Sequence, residues 1–339
     1  MAQRQGRNVI NLPSRPSVTG YAAVAGKLEG EGPLAAELDA VFEDEMLGEK
    51  SFEKAESKLH RLAVEKALEK AQTNACDVDI SFAGDLLDQC IGSSFAFKDA
   101  DVPYAGLYGA CSTMALSLAL AAVAVDAGAA GTCTASVSSH FCSAERQYRL
   151  PLEYGGQRTP TAQWTATAAG CAVIKSGSTR SPVRVDSAII GRIRDYGVKD
   201  ANNMGAAMAP AAAQTIADYL CDTQTAPSDY DLILTGDLGA VGTQLLHKLL
   251  QTEHKLDITA VHNDCGLLLY DMAAQDVHAG GSGCGCSAAV VCSRIFNQIT
   301  GGELKNMLFI GTGALLSPTS SLQGQTIPAV AHGVRLAAE

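Results

Sequence analysis

The chain repeats itself, and the repeat limits what it can fold into. Asp79-Ile80-Ser81-Phe82-Ala83-Gly84-Asp85-Leu86 and Asp231-Leu232-Ile233-Leu234-Thr235-Gly236-Asp237-Leu238 share the pattern Asp, apolar, x, apolar, x, Gly-Asp-Leu, and each follows a helical stretch. After the first copy come a corner at Cys111, a helix, a break at Gly128 and a strand over Cys133 to Val137. The second is followed by Gly283-Cys284-Gly285-Cys286-Ser287, a helix ending near Gly301-Gly302, a strand over Met307 to Ile310 and an expected turn at Gly311-Thr312-Gly313. One short match is weak evidence, but the same order of elements in both halves predicts a duplicated βαβ plan with parallel pairing and right-handed crossovers. The boundary falls in the Ser, Gly, Thr, Arg and Pro cluster between Ser176 and Ser187, dividing the chain into halves 1–180 and 181–339 that form one compact unit.

Within that plan the corner Gly109-Ala110-Cys111-Ser112-Thr113 stands out. It leaves a short apolar run, Pro103 to Tyr108, and opens the apolar helix Met114 to Val125. A thiol there meets free N–H groups and the positive end of the helix dipole, which favour thiolate. The helix is apolar all round rather than striped, so it is expected to be enclosed between layers, back to back with its counterpart Ser287 to Ile299. The two N-termini then flank one pocket. Ser51 to Gln72 reads as an amphipathic helix capped by Ser51, with Phe52, Ala55, Leu59, Leu62, Ala63 and Ala67 facing a sheet. Pro13 to Glu49, rich in Gly, Pro and acids, reads as a short strand region with loops and turns.

Composition excludes several classes of function. A net charge of −11 without a basic stripe argues against binding nucleic acid. The eleven Cys are irregularly spaced, and no apolar segment follows the polar start Met1 to Pro16, so the thiols are expected to be reduced in a cytosol-like compartment. Cys284-Gly285-Cys286 has no matching pair elsewhere, which argues against structural zinc. The longest apolar run is far short of the roughly 20 residues that span a bilayer, so any membrane association is expected to be peripheral.

The Cys111 corner and the duplication resemble the thiolase superfamily. That resemblance implies a five-layered α-β-α-β-α fold of two pseudo-symmetric halves with a Cys at the N-terminus of a buried helix. Ala83-Gly84-Asp85-Leu86-Leu87, Tyr108-Gly109-Ala110-Cys111-Ser112-Thr113, Ser138-Ser139-His140, Ala144-Glu145-Arg146-Gln147, Glu153-Tyr154-Gly155-Gly156-Gln157, Ala207-Met208-Ala209-Pro210, Asp264-Cys265-Gly266-Leu267-Leu268, Ala279-Gly280-Gly281-Ser282-Gly283-Cys284, Gly313-Ala314-Leu315-Leu316-Ser317-Pro318 and Ala331-His332-Gly333-Val334 narrow it further. Spread in order from residue 83 to 334, these runs resemble the stage V sporulation protein AD family of endospore formers. What the resemblance implies is a dipicolinic acid binding component of the SpoVA assembly at the spore inner membrane. It would act in uptake of dipicolinate and calcium during sporulation and in release at germination. Its partners would be the other SpoVA membrane proteins, and thiolase-like proteins usually dimerise through a sheet edge.

Condensing chemistry needs an enolate donor and a base as well as a thiol. The superfamily's His position falls on Thr235-Gly236-Asp237-Leu238-Gly239, its Asn or second His on Ser282, and the second thiolase Cys near Phe309. With those groups replaced, the resemblance implies a pseudoenzyme without cofactor that keeps Cys111 as a vestigial nucleophile. The alternatives are an acyl-transfer enzyme using Cys111 and a scaffold with an idle pocket. Expected ligand contacts are Cys111, Asp85, His140, Asp237, Ser282 and Cys284. Arg146, Arg149 and Arg158 are the nearby sources of positive charge, while Asp85, Asp237 and Asp264 are the acids available to a calcium chelate. His262, His278 and His332 are read as structural.

Overall fold

The computed structural model describes residues 1–148, 158–177 and 181–339. Its ten principal strands are β1 (Ser17–Gly26), β2 (Ile80–Gly84), β3 (Tyr104–Leu107), β4 (Thr132–Ser139), β5 (Ala168–Lys175), β6 (Val183–Ile189), β7 (Leu232–Thr235), β8 (His262–Asp264), β9 (Asn306–Ala314) and β10 (Ala329–Ala338). They are ordered β8-β7-β9-β10-β6-β1-β5-β4-β2-β3. The first half contributes β1-β5-β4-β2-β3, antiparallel across β1/β5 and β5/β4 and parallel across β4/β2 and β2/β3. The second repeats that pattern with β6-β10-β9-β7-β8. Two Asp-x-x-x-x-Gly-Asp segments thus sit on equivalent strands, β2 and β7, as the repeat predicts. The arrays are not separate sheets, because Ser17 of β1 pairs with Arg184 of β6 and joins them edge to edge.

Helices complete the layers. The helix α1 (Phe52–Lys70) is capped by Ser51 Oγ, which accepts from the Lys54 amide at 3.4 Å. Ala55, Leu59, Ala63 and Ala67 of α1 are buried against the first array, where α2 (Ile91–Phe97) also packs. The same face of α1 carries Glu56 and His60, both buried; His60 bonds Ser136 and Ser138, and Glu56 accepts from Ser138 and Ser143. The helix α3 (Thr113–Asp126) touches strands of both arrays, and its side chains Met114, Leu118, Ala119 and Ala122 are fully buried. The helix α4 (Phe141–Tyr148) follows β4, while α5 (Met204–Thr223) and α6 (Gly239–Leu249) belong to the second half, with α5 on β9 and β10. The helix α7 (Cys284–Val290) packs against α3 and runs on through a π turn, Val291–Ile295, into Phe296–Thr300. With α3 and α7 between the arrays and α1 and α5 outside, the layers read α-β-α-β-α.

Two expectations are corrected. Ser17–Gly26 is a ten-residue strand at the centre of the sheet, longer than the short strand region expected within Pro13 to Glu49, with Val18, Thr19 and Val24 interleaved with three Ala and two Gly. The stretch Gly311-Thr312-Gly313 is not a turn; β9 continues through it, antiparallel to β10. Glycine is needed there for close approach, since a Cβ at Gly313 would lie 2.2 Å from the Gly109 carbonyl oxygen and one at Gly311 would lie 2.8 Å from the Ala115 Cβ.

Candidate functional site

The Cys111 corner is built by short hydroxyl side chains around one strained residue. Ala110 adopts a left-handed conformation with φ 50°, which lets the chain turn from β3 into α3 within a few residues. Ser112 Oγ donates to the Gly109 carbonyl at 2.6 Å, Thr113 Oγ1 donates to the Ala110 carbonyl at 2.6 Å, and the Gly109 amide donates to Thr113 Oγ1 at 3.1 Å. Polar groups that the sharp turn would otherwise strand are thereby paired. Cys111 is left just before α3 with 5% of its surface exposed.

The opposite wall comes from the second half. Gly281 and Ser282 pair in parallel with Trp164 and Thr165, after which Gly283, with φ 96°, turns the chain into α7. Asp237, just beyond β7, reaches this wall. Its carboxylate accepts from the Gly283 amide at 2.8 Å, from Ser282 Oγ at 3.3 Å and from Thr312 Oγ1 at 2.8 Å, and Thr312 Oγ1 accepts from the Asp237 amide at 3.1 Å. The Cys111 thiol adjoins this wall: after burial, the charge of Asp237 raises its pKa, while the Gly283 amide and Ser282 lower it. Asp264 braces the loop from behind, accepting from Thr235 Oγ1 and from the amides of Leu238, Gly239 and Gly266 at 2.6 to 3.0 Å. Burial pushes Asp237 up to about 6 and Asp264 up to about 7, against the hydrogen bonds that favour their ionised forms.

Between these walls lies a narrow cleft, open to solvent, with about 30 Å³ of free space. Leu86, Ala110, Ala144, Met204, Ala314 and Leu316 supply apolar surface, and Cys111, Tyr108, Tyr148, Thr165 and Ser282 supply polar atoms. At the rim the Tyr108 and Tyr148 hydroxyls bond at 2.8 Å, and Tyr148 also donates to the Leu86 carbonyl. None of the described residues lining the cleft is Lys, Arg or His.

Of the residues singled out in the sequence, Cys111 and Ser282 line the cleft, and Asp237 holds both from behind. Asp85, His140 and Cys284 do not line it. Asp85 accepts from the Leu87 amide at 2.8 Å and the Ser93 amide at 2.6 Å, fixing the backbone that carries Leu86. His140 bonds the Glu45 carbonyl through Nε2 and accepts from the Cys142 amide through Nδ1, a buried ring that burial keeps neutral. Cys284 Sγ donates to the Ser138 carbonyl at 3.0 Å. The three acids offered to calcium are hydrogen-bond acceptors inside the fold, and no cluster of metal-ligating side chains occurs among the described residues. Arg146 pairs with Glu53, Arg158 pairs with Asp276 and stacks over Trp164, and Arg149 lies outside the described residues.

Phe309 is buried in the core rather than facing Cys111; three residues further along β9, Thr312 is the side chain that reaches the site. The signal for Thr312 was its place between two glycines, which suggested a turn. His262 bonds Thr235 and His247, His278 bonds the Thr159 carbonyl, and His332 accepts from the Gly191 amide.

The chemistry follows from magnitudes. A helix N-terminus favours an anion by about 0.3–1 kcal/mol. Burial opposes the thiolate, and so does the negative charge of the Asp237 carboxylate, against which the helix end is a small effect. Burial and then Asp237 therefore push the Cys111 thiol well above its usual range, and the residue stays a thiol at neutral pH. The cleft thus combines apolar walls and hydroxyl edges with a thiol that burial and a neighbouring carboxylate hold in its protonated form.

Comparison with known proteins places these features. The family model described as Stage V sporulation protein AD (SpoVAD) matches residues 6–337. Stage V sporulation protein AD of Bacillus subtilis (strain 168) is 43% identical over 317 residues, covering 94% of this chain and 93% of that protein. Among solved structures, 3-oxoacyl-[acyl-carrier-protein] synthase III from Aquifex aeolicus VF5 superposes with a TM-score of 0.56 at 11% identity, covering 95% of this chain and 99% of that one. Cerulenin-bound OleA from Xanthomonas campestris superposes with a TM-score of 0.58 at 13% identity, covering 99% and 98%. At such identities the two structures establish the thiolase-like fold and nothing about activity.

Proposed function

Because the chain belongs to the stage V sporulation protein AD family, a sporulation protein family here on a thiolase-like fold, we propose that it binds dipicolinic acid in the Cys111 cleft and performs no acyl chemistry. The observation that carries this reading is Asp237 beside Cys111. A negative charge beside a thiol disfavours the thiolate, the reverse of the cation that stabilises one, so in this reading the inherited pocket keeps its shape while its thiol stays protonated. The apolar walls suit the faces of a pyridine ring. The hydroxyls of Tyr108, Tyr148, Thr165 and Ser282 suit its carboxyl edges. In this reading the protein serves the SpoVA assembly at the spore inner membrane through contacts with its membrane proteins. Among the described residues no helix is long and apolar enough to cross a membrane.

Trp164 is the only tryptophan of the chain and adjoins Thr165 in the cleft wall, so its fluorescence reports on occupancy. Titration of the full chain with dipicolinate is expected to give a saturable change of one ligand per chain, lost in Ser282→Leu, which fills the cleft. A flat titration by both fluorescence and calorimetry would leave a scaffold and sink the binding reading. Incubation with acetyl-CoA followed by intact mass is expected to show an unmodified chain. Acylation of Cys111 with turnover would instead establish an enzyme.

A further inference from the structure

A second and larger cleft, with about 400 Å³ of free space, lies away from Cys111 in the first half, between α1, α2 and the sheet. Its walls are apolar: Val64 and Leu68 from α1, Val78 ahead of β2, and Phe97 from α2. Phe97 is 6% exposed and held on two sides, with the His60 ring edge-on at 5.8 Å and the Tyr104 ring at 5.5 Å, so its position is set before any ligand arrives. The charged groups are Arg61, Glu65 and Asp99. Arg61 pairs with Glu65 at 3.6 Å and Asp99 with Lys98 at 3.7 Å, all four side chains lying exposed at the rim.

The floor is polar and incompletely satisfied. Ser81 of β2 and Thr134 of β4 are buried side by side, and Thr134 Oγ1 donates to Ser81 Oγ at 2.8 Å. Two hydroxyls thus share one hydrogen bond, so one of their two protons is left without an acceptor among the described residues. Other buried hydroxyls nearby do find one: Ser138 and Ser143 donate to Glu56, and Ser139 donates to the Ala166 carbonyl. A buried donor without an acceptor is uncommon and calls for an explanation. An apolar cleft with one such donor at its floor offers a single water too few partners and suits a ligand that is mostly apolar.

We propose that this cleft is a binding site for a small uncharged molecule with an apolar, ring-sized body and a hydrogen-bond acceptor, the body lying against Phe97 and the acceptor taking the free proton of the Ser81–Thr134 pair. An uncharged ligand is favoured because the charged residues of the lining sit at the exposed rim, while the buried part of the cleft is apolar apart from Ser81 and Thr134. The inference is independent of what occupies the Cys111 cleft.

Benzyl alcohol and toluene are the probes, titrated into the full chain and followed by chemical-shift changes of amides around the cleft. Both are expected to bind, the alcohol about fivefold more tightly, since one net hydrogen bond is worth roughly that factor. The double variant Ser81→Ala/Thr134→Val removes both hydroxyls and is expected to abolish the preference. Ala100→Phe fills the cleft mouth and is expected to weaken both probes at least tenfold, with native circular dichroism. Equal affinity of the two probes for the unaltered chain, or undiminished binding to a folded Ala100→Phe, overturns the proposal. Should Ala100→Phe not fold, crystals soaked in benzyl alcohol decide: a ring against Phe97 supports the site, and water or an empty cleft overturns it.

Discussion

Replacing Asp237 by Asn tests the argument that the thiol is held inactive by charge. At pH 8 the Asp237 carboxyl, pushed up only to about 6, is ionised and lies against Cys111. Asn keeps the size and an acceptor for the Gly283 amide, and the Thr312 and Ser282 hydroxyls can rotate to match it. As a general scale, a unit charge about 4 Å away at an effective dielectric constant of about 20 is worth about 4 kcal/mol, equivalent to a factor of about 10³ in thiolate population. Thiolate nucleophilicity falls with pKa with a Brønsted slope of about 0.4–0.5, so the observed rate gains only about half of this in logarithm, or about fortyfold. Iodoacetamide labelling followed by peptide mass spectrometry measures it, with the exposed Cys76 and Cys221 as internal references. The ratio of Cys111 to Cys76 labelling should rise at least tenfold in Asp237→Asn, while Cys221 to Cys76 stays constant. An unchanged or lower ratio refutes charge suppression and leaves burial alone as the cause of the inert thiol.

Further outcomes follow from other buried groups. Glu29 is fully buried, accepting from the Tyr270 hydroxyl at 2.5 Å and the Thr167 amide at 3.1 Å, and burial lifts its pKa from 4.5 to about 7. The folded state therefore holds this proton where the unfolded chain releases it, and stability is lost as pH rises from about 4.5 to 7, by up to about 3 kcal/mol. Glu29→Gln should remove that loss; denaturant unfolding at pH 5 and pH 8 measures it, and parallel shifts of both proteins count against the assignment. An anion bound beside Asp237 would favour its protonated form, so dipicolinate affinity should rise as pH falls from 8 towards 6, with proton uptake visible in calorimetry across buffers of different ionisation heat. PH-independent affinity would place the ligand away from Asp237. Gly313→Ala puts a Cβ 2.2 Å from the Gly109 carbonyl oxygen and should displace the Cys111 corner, lowering dipicolinate affinity more than tenfold in a chain that still folds; native affinity would mean that the corner does not shape the cleft.

The amino-acid sequence by itself determined the duplicated plan, the buried α3 and the opposed positions of Cys111, Asp237 and Ser282. These depend on local order and on residues whose chemistry is legible singly: an unstriped apolar helix must be enclosed, and a Gly-Ala-Cys corner must turn sharply. The repeat misled where it implied equal roles for Asp85 and Asp237. Both follow equivalent strands, yet Asp85 is taken up by the Leu87 and Ser93 amides, while Asp237 turns to Gly283, Ser282 and the thiol. Which donors an acid finds depends on the element packed beside it, and that element comes from a distant part of the chain. The central strand Ser17–Gly26 was hidden for a related reason: its small residues are chosen for close packing, as at Gly20, where a Cβ would lie 2.5 Å from the Ala67 carbonyl oxygen of α1. Only the tertiary structure decided that Thr312 rather than Phe309 reaches the site, that His140 and Cys284 stay behind its walls, and that the Ser81 hydroxyl faces a second cleft. Side-chain direction within a strand is fixed by register and by what covers each face, and neither is written in the residues of the strand alone.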